Sequence, residues 1–206
     1  MPRQVSRAGL DLIKSFEGFS AKWYPDPAHG WKVATIGFGH TDAAGAPKHA
    51  TSKGLVLSAE AATEILANDL EQYAEAVERA VKLPLSDNQF AALVSFTYNV
   101  GAGALAKSTL VKKLNAGNYG AVRSELAKWN KAGGKTLKGL TRRRAAEADL
   151  FEAKTASPVP RPAPPVDDPV VTVPPAPKSE KKASKGPLAI IVGIILAGIA
   201  AWFGLG

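Results

Sequence analysis

LSDNQFAALVSFTYN, residues 85–99, is the stretch on which the architecture turns. Ser86 and Gln89 have the spacing of a capping box, in which the Ser hydroxyl accepts from the backbone N–H three residues on and the Gln side chain reaches back. Leu85 and Phe90 flank the box as a hydrophobic staple. The helix opened there carries Phe90, Leu93, Val94, Phe96 and Thr97 and is apolar nearly all round. Such a helix has no face to offer water, so it predicts the buried centre of a helical bundle. Upstream, Ile65, Leu66, Leu70, Tyr73 and Val77 mark one long helix from Ser58, its N-cap, to about Lys82. Leu10, Ile13 and Phe16 share a helical face that Gly18 stops. Between these helices, WYPDPAHGWKVATIGFGHT (residues 23–41) is rich in aromatic, β-branched, Gly and Pro residues and reads as a hairpin or short-stranded sheet. Downstream, shorter helical patterns fall near Thr109–Asn115, Tyr119–Trp129 and Thr141–Lys154, separated by Gly-rich turns. The sum is a mainly helical α+β domain with one small sheet near its start.

Composition narrows the chemistry. The chain has 206 residues, 46% hydrophobic and 21% charged, which at ~150 residues per domain means one folded domain, residues 1–155, plus something else. No Cys is present, which excludes disulfides, thiolate metal sites and a cysteine nucleophile. The three His (His29, His40, His49) show no HExxH spacing, so no metal and no cofactor is expected. Twenty-six basic against eighteen acidic residues give +8, which favours an anionic partner. The charge is segregated. Residues 59–87 hold seven acidic and two basic side chains, and residues 107–154 hold twelve basic and four acidic. A basic lobe facing an anionic polymer and a solvated helix face both account for this. No nucleic-acid motif accompanies the charge, and nucleic acid is not expected as a partner.

Ten of the fifteen prolines fall between Pro158 and Pro187, so residues 156–187 read as an extended Pro- and Lys-rich linker. Residues 188–205 carry no charge and are long enough to cross a bilayer as a helix. Lys178, Lys181, Lys182 and Lys185 precede them, and Trp202 and Phe203 suit an interface. Ala189, Gly193, Ala197 and Ala201 recur every four residues, a pattern that fits self-association and equally a plain Ala- and Gly-rich helix. The N-terminal residues show no secretory signal, so synthesis and folding are expected in the cytoplasm.

Three residues in the first third could carry chemistry. Glu17 ends the first helix between Phe16 and Gly18, with Phe19 following. The negative end of a helix and aromatic neighbours both disfavour a carboxylate, as a general acid requires. Nine residues on, Asp26 stands between Pro25 and Pro27, whose rings stiffen its backbone. Thr35 lies in a predicted strand. Two carboxylates and a hydroxyl on a helix–hairpin unit suit glycosidic bond cleavage. A surface Glu in a last turn and a Pro-Asp-Pro turn without chemistry fit the same residues, and spacing alone does not choose.

The motifs FEGF, YPDP, TIGFGHT, NDL, LSDNQFAALVSFTYNVG and GLTRRRAAEADLF follow one another in this order. Over Arg7 to Phe151 the chain resembles the phage-type lysozymes, glycoside hydrolase family 24. The resemblance implies a lysozyme-like two-lobed domain that hydrolyses the β-1,4 bond between N-acetylmuramic acid and N-acetylglucosamine in peptidoglycan, leading to host cell lysis. It implies Glu17 as general acid, Asp26 as second carboxylate and Thr35 as the threonine that places the attacking water. His40 and Asp69 match a structural pair, Asn99 matches a substrate-contacting position on the cleft wall, and Thr141 and Arg142 open the last conserved segment, where binding and capping both fit. The stretch from Asp26 to Thr35 is three residues longer than the family's common pattern. Two rival readings are a binding-only peptidoglycan module, against which the intact Glu17 and Asp26 argue, and a membrane-permeabilising protein acting through its tail. The partners expected are glycan strands of the periplasmic cell wall, reached after holin-dependent release, and a bacterial membrane through the C-terminal segment.

Overall fold

The computed structural model describes residues 3–26 and 29–154. The linker and apolar segment expected over 156–205 lie outside the described residues. The first helix, α1 (Arg7–Glu17), is capped by Ser6, whose hydroxyl accepts from the Gly9 N–H, and ends at Gly18 with φ of 72°. At Gly9 an added Cβ would come within 2.6 Å of the Ala91 Cβ, so the two backbones approach as only glycine permits.

The aromatic, Gly-rich stretch forms the expected sheet, with strands β1 (Ser20–Asp26), β2 (Gly30–Gly37) and β3 (His40–Thr41) in that order, antiparallel throughout. Tyr24 pairs with Thr35 and Pro25 with Ala34, but Asp26 pairs with Gly30. Regular pairing would set Asp26 against Val33, so Trp31, Lys32 and Val33 are three extra residues bulged from β2. The three-residue excess between Asp26 and Thr35 is thereby placed at the end of the hairpin.

The single long helix expected from Ser58 to Lys82 is two, α2 (Ala59–Asp69) and α3 (Glu71–Ala80), joined at Leu70. Leu70 keeps right-handed torsions, and Leu66, Leu70, Ala74 and Val77 stay on one buried face. The hydrophobic period therefore runs through the joint unbroken. Ser58 caps α2 as expected. The capping box at Ser86 and Gln89 is complete and opens α4 (Asp87–Val100), in which every residue from Phe90 to Thr97 is buried. On this central helix packs α5 (Ala102–Lys107); α6 (Thr109–Asn115) packs on α5 and on α7 (Val122–Leu126), which is preceded by a 3-10 turn at Tyr119–Ala121. A hairpin of two-residue strands, β4 (Lys131–Ala132) and β5 (Lys135–Thr136), turns at Gly133 and Gly134, both at positive φ. Neither α5 nor this hairpin is anticipated by hydrophobic period, because each is too short to show one. The last helix, α8 (Lys138–Glu152), lies along α4. The result is mainly helical with a small antiparallel sheet near the start. Among the described residues no helix is long and apolar enough to cross a membrane.

Candidate active site

Glu17, at the last position of α1, is not left to a helix end and two phenylalanines. Arg143 on α8 donates from Nη1 to its Oε1 at 2.5 Å, with the two side chains only 7% and 4% exposed. The fold sets a guanidinium against Glu17 that its place in the sequence does not announce. Arg143 is itself held. Its Nε donates to Glu147 Oε1 at 3.2 Å and its Nη2 to the Ser95 carbonyl at 3.3 Å. Glu147 also accepts from the Ser95 hydroxyl at 2.9 Å and from Arg144 Nη2 at 3.0 Å. Arg144 continues to Asn99, donating to Oδ1 at 2.9 Å.

Two carboxyls and two guanidinium groups thus form a balanced cluster beneath Glu17, tied by α4 and α8. Burial pushes the Glu147 carboxyl above its ordinary value, even against both arginines. Burial brings Arg144 down to about 10, whereas Arg143 stands above its usual value because Glu17 and Glu147 outweigh its own burial. Each charge in such a site depends on its partners, since water is not there to replace them.

Asp26 is positioned from the other side, at the end of β1. Its Oδ1 accepts from the His29 N–H at 2.8 Å and lies 2.8 Å from His29 Nδ1. The Asp26 side chain is 8% exposed, while His29 is 43% exposed. Thr35 is buried on β2 and donates from Oγ1 to the Val33 carbonyl at 3.3 Å. Its cross-strand partner is Tyr24. Burial, then Glu17, then Asp26 raise the Tyr24 phenol above its ordinary value. Tyr98 on α4 is raised further, by burial and then by Glu17, and its hydroxyl donates to the Phe38 carbonyl at 3.1 Å. Its ring meets that of Tyr73 edge-on at 5.2 Å.

Thr35 is thus paired across the sheet with Tyr24, which directly precedes Pro25 and Asp26 in β1, while Glu17 and Asn99 are linked through the arginine cluster of α8. His40 and Asp69 are in contact, Nδ1 to Oδ2 at 2.8 Å, and both are buried. Thr141 and Arg142 lie on the exposed side of the first turns of α8. Thr141 donates back to the Leu137 carbonyl at 3.1 Å, and it lines a cavity of about 150 Å³ with Arg123, Asn130 and Arg144. Among the described residues no hydrogen bond or ion pair joins Thr141 or Arg142 to Glu17; the neighbour that turns inward is Arg143.

Sequence reasoning missed Arg143, Arg144, Glu147, Ser95, Tyr24 and His29. A signal existed for α8. Arg143, Arg144, Glu147, Ala148 and Phe151 recur as one helical face and all are buried, so charged residues occupy positions whose spacing marks them as core. Among the described residues no cluster of three His, Asp or Glu side chains could hold a metal ion.

Two nearly buried carboxylates and a buried hydroxyl are the group types that can deliver a proton and orient a water. Residues 14–147 match the phage lysozyme family. An endolysin of Bacillus phage B103 is 44% identical over 74% of this chain, which spans 57% of that relative's length. The chain likewise spans 58% of a second Bacillus phage endolysin, from phage PZA. The endolysin of Salmonella phage P22 is 36% identical over 72% of this chain and 97% of its own. Among solved structures, the muramidase domain of SpmX from Asticaccaulis excentricus superposes with a TM-score of 0.63 at 36% identity, covering 74% of this chain and 99% of that one. With the family match, the identities and the fold agreeing over that span, the chain belongs to the phage lysozyme family.

Proposed function

We propose that the protein is an endolysin-type muramidase that hydrolyses the β-1,4 bond between N-acetylmuramic acid and N-acetylglucosamine in bacterial peptidoglycan. The observation that carries the reading is the match of residues 14–147 to the phage lysozyme family, which takes in two nearly buried carboxylates, Glu17 against Arg143 and Asp26 against His29. Glu17 protonates the leaving glycosidic oxygen. Asp26 and Thr35 orient water on the other face of the sugar, and the charge of Asp26 favours the oxocarbenium-like transition state. Arg143 is a positioning residue that shares its charge between Glu17 and Glu147 and so holds the acid without belonging to it alone. Asn99 contacts the glycan on the cleft wall, and Thr141 and Arg142 meet it at the start of α8. The His40–Asp69 pair braces β3 against α2.

In this reading residues 1–155 form the catalytic domain, residues 156–187 a linker and residues 188–205 an apolar helix that associates with a bacterial membrane once a holin has opened the way. Removing residues 156–206 leaves activity on purified wall and weakens killing of intact cells; loss of activity on purified wall contradicts that division of labour. The function itself is tested by digesting purified peptidoglycan with the full chain, reducing the products with borohydride and identifying the new ends. Reduced N-acetylmuramic acid is the expected end. Reduced N-acetylglucosamine, or no new end, overturns the reading.

A further inference from the structure

Three large apolar side chains are exposed among the described residues, Phe19 at 47%, Trp31 at 57% and Val56 at 60%. Phe19 rests on Phe38, ring centroids 5.3 Å apart, and Val56 is an isolated aliphatic group of the kind any surface carries. Trp31 is held differently. Its indole lies nearly parallel to the His49 ring, 5.1 Å between centroids and 17° between planes. His49 meets Trp23 edge-on at 5.3 Å. Trp23 is buried and donates from Nε1 to the Ser52 carbonyl at 2.9 Å, and the His49 N–H donates to Asp42 Oδ1 at 2.7 Å. The exposed ring thus rests on a column of rings anchored twice to the body of the domain.

Its place in the chain matters as much. Trp31 is the first of the three residues bulged from β2, and it follows Gly30, the cross-strand partner of Asp26. Four residues further along the same strand is Thr35. An extra loop that presented only polar groups would need no such support. Here it carries a flat, preoriented aromatic surface one residue from the cross-strand partner of Asp26. A ring already fixed loses little freedom when it binds.

We propose that Trp31, backed by His49, is a carbohydrate-stacking subsite that takes the apolar face of an N-acetylhexosamine ring in the glycan strand, beyond the sugars at the bond that is cut. The proposal rests on the muramidase reading for its polymer. A β-linked pyranose offers C–H groups along one face, and these carry the partial positive charge that complements the electron-rich face of an indole. A lipid surface fits less well, because one ring flanked by Gly30 and Lys32 is not a contiguous apolar patch.

The test uses full-length chains with isolated, uncrosslinked glycan strands of two lengths, tetrasaccharides and strands of many disaccharides. Binding is followed by titration calorimetry, with tryptophan fluorescence beside it, in the Glu17→Gln background, and turnover by reducing-end release. Trp31→Ala is expected to weaken binding of long strands about five-fold and to raise KM on them by a similar factor, with a much smaller effect on tetrasaccharides. Trp31→Phe restores most of the loss, and Val56→Ser, which removes comparable exposed apolar surface, produces none. Thermal unfolding verifies that each variant folds. If Trp31→Ala misfolds, Trp31→Phe decides: affinity near the parent's with the strand-induced fluorescence change lost is expected, and a fluorescence change as large as the parent's overturns the proposal. Equal affinity and KM in Trp31→Ala and the parent overturn it too, as does a loss confined to anionic phospholipid vesicles, which would assign the ring to a membrane. A parent chain that binds strands through Trp31 but releases no reducing ends would sink the muramidase reading and leave the subsite standing.

Discussion

Glu17 and Asp26 are closed to solvent almost equally, with side chains 7% and 8% exposed, yet they are held by opposite means. Glu17 is fixed by Arg143, 126 residues away in the chain, and through it by a charge cluster spanning α4 and α8. Asp26 is engaged by His29, three residues on, at the tip of a hairpin that carries a bulge. The first arrangement exists only when the helical part has packed; the second is local. Glu17 is therefore expected to share the stability of the fold, while the His29 contact to Asp26 can be removed at small cost to folding.

The strongest way to break this contrast is Arg143→Ala. It leaves Glu17 and Glu147 without their shared cation in a site from which water is excluded. Removing one partner of a buried pair typically costs about 3–5 kcal/mol, and urea unfolding should show a loss of that order. A loss under about 1 kcal/mol, the range of exposed pairs, would mean that the cluster is not a framework at all.

The His40–Asp69 pair sharpens the contrast with a pH dependence. His40 Nε2 faces the Pro47 carbonyl at 2.8 Å while Nδ1 faces Asp69, so both ring nitrogens donate only in the imidazolium. Burial opposes that charge, but the hydrogen bonds to Asp69 and Pro47 prevail, and the group stands above its ordinary value of 6.5. A raised imidazole contributes stability that is fully present below the unfolded value and is lost as pH rises through the folded one. Asp69→Asn should thus cost about 2 kcal/mol at pH 5, and the gap from the parent should narrow in alkaline solution. A gap that widens with pH would reverse the assignment of charge.

The smallest effect on folding is expected from His29→Ala. Its partly exposed contact to Asp26 should be worth less than about 1 kcal/mol. Turnover of purified peptidoglycan should nevertheless fall several-fold, because Asp26 loses both contacts that His29 makes with it. Unaltered turnover would show that other neighbours suffice to hold the second carboxylate.

What was legible in the residues follows the same division. The capping box at Ser86 and the all-round apolar character of Phe90 to Thr97 predict the central helix, and every one of those residues is buried. Hydrophobic period reports a face, not an axis. It therefore finds Leu66, Leu70, Ala74 and Val77 and cannot see that the helix divides at Leu70. The carboxylates were visible as residue types, Glu17 at a helix end and Asp26 between prolines. Their restraints were less visible. Arg143 is one of three consecutive arginines, and only the three-dimensional packing of α8 on α4 separates it from the exposed Arg142. The three-residue excess in the hairpin was countable in sequence, but that it lifts Trp31 onto His49 depends on the strand register.

The most direct test of the account compares reducing-end release from purified peptidoglycan by the parent and by Glu17→Gln, with unfolding measured on both. Glutamine keeps the shape of the side chain and cannot donate the acid proton. The prediction is a folded Glu17→Gln chain whose release falls by at least about 100-fold. A folded variant that retains a tenth or more of the parent rate would contradict the assignment of Glu17 as the acid, and with it the view that the charge cluster beneath it exists to hold one.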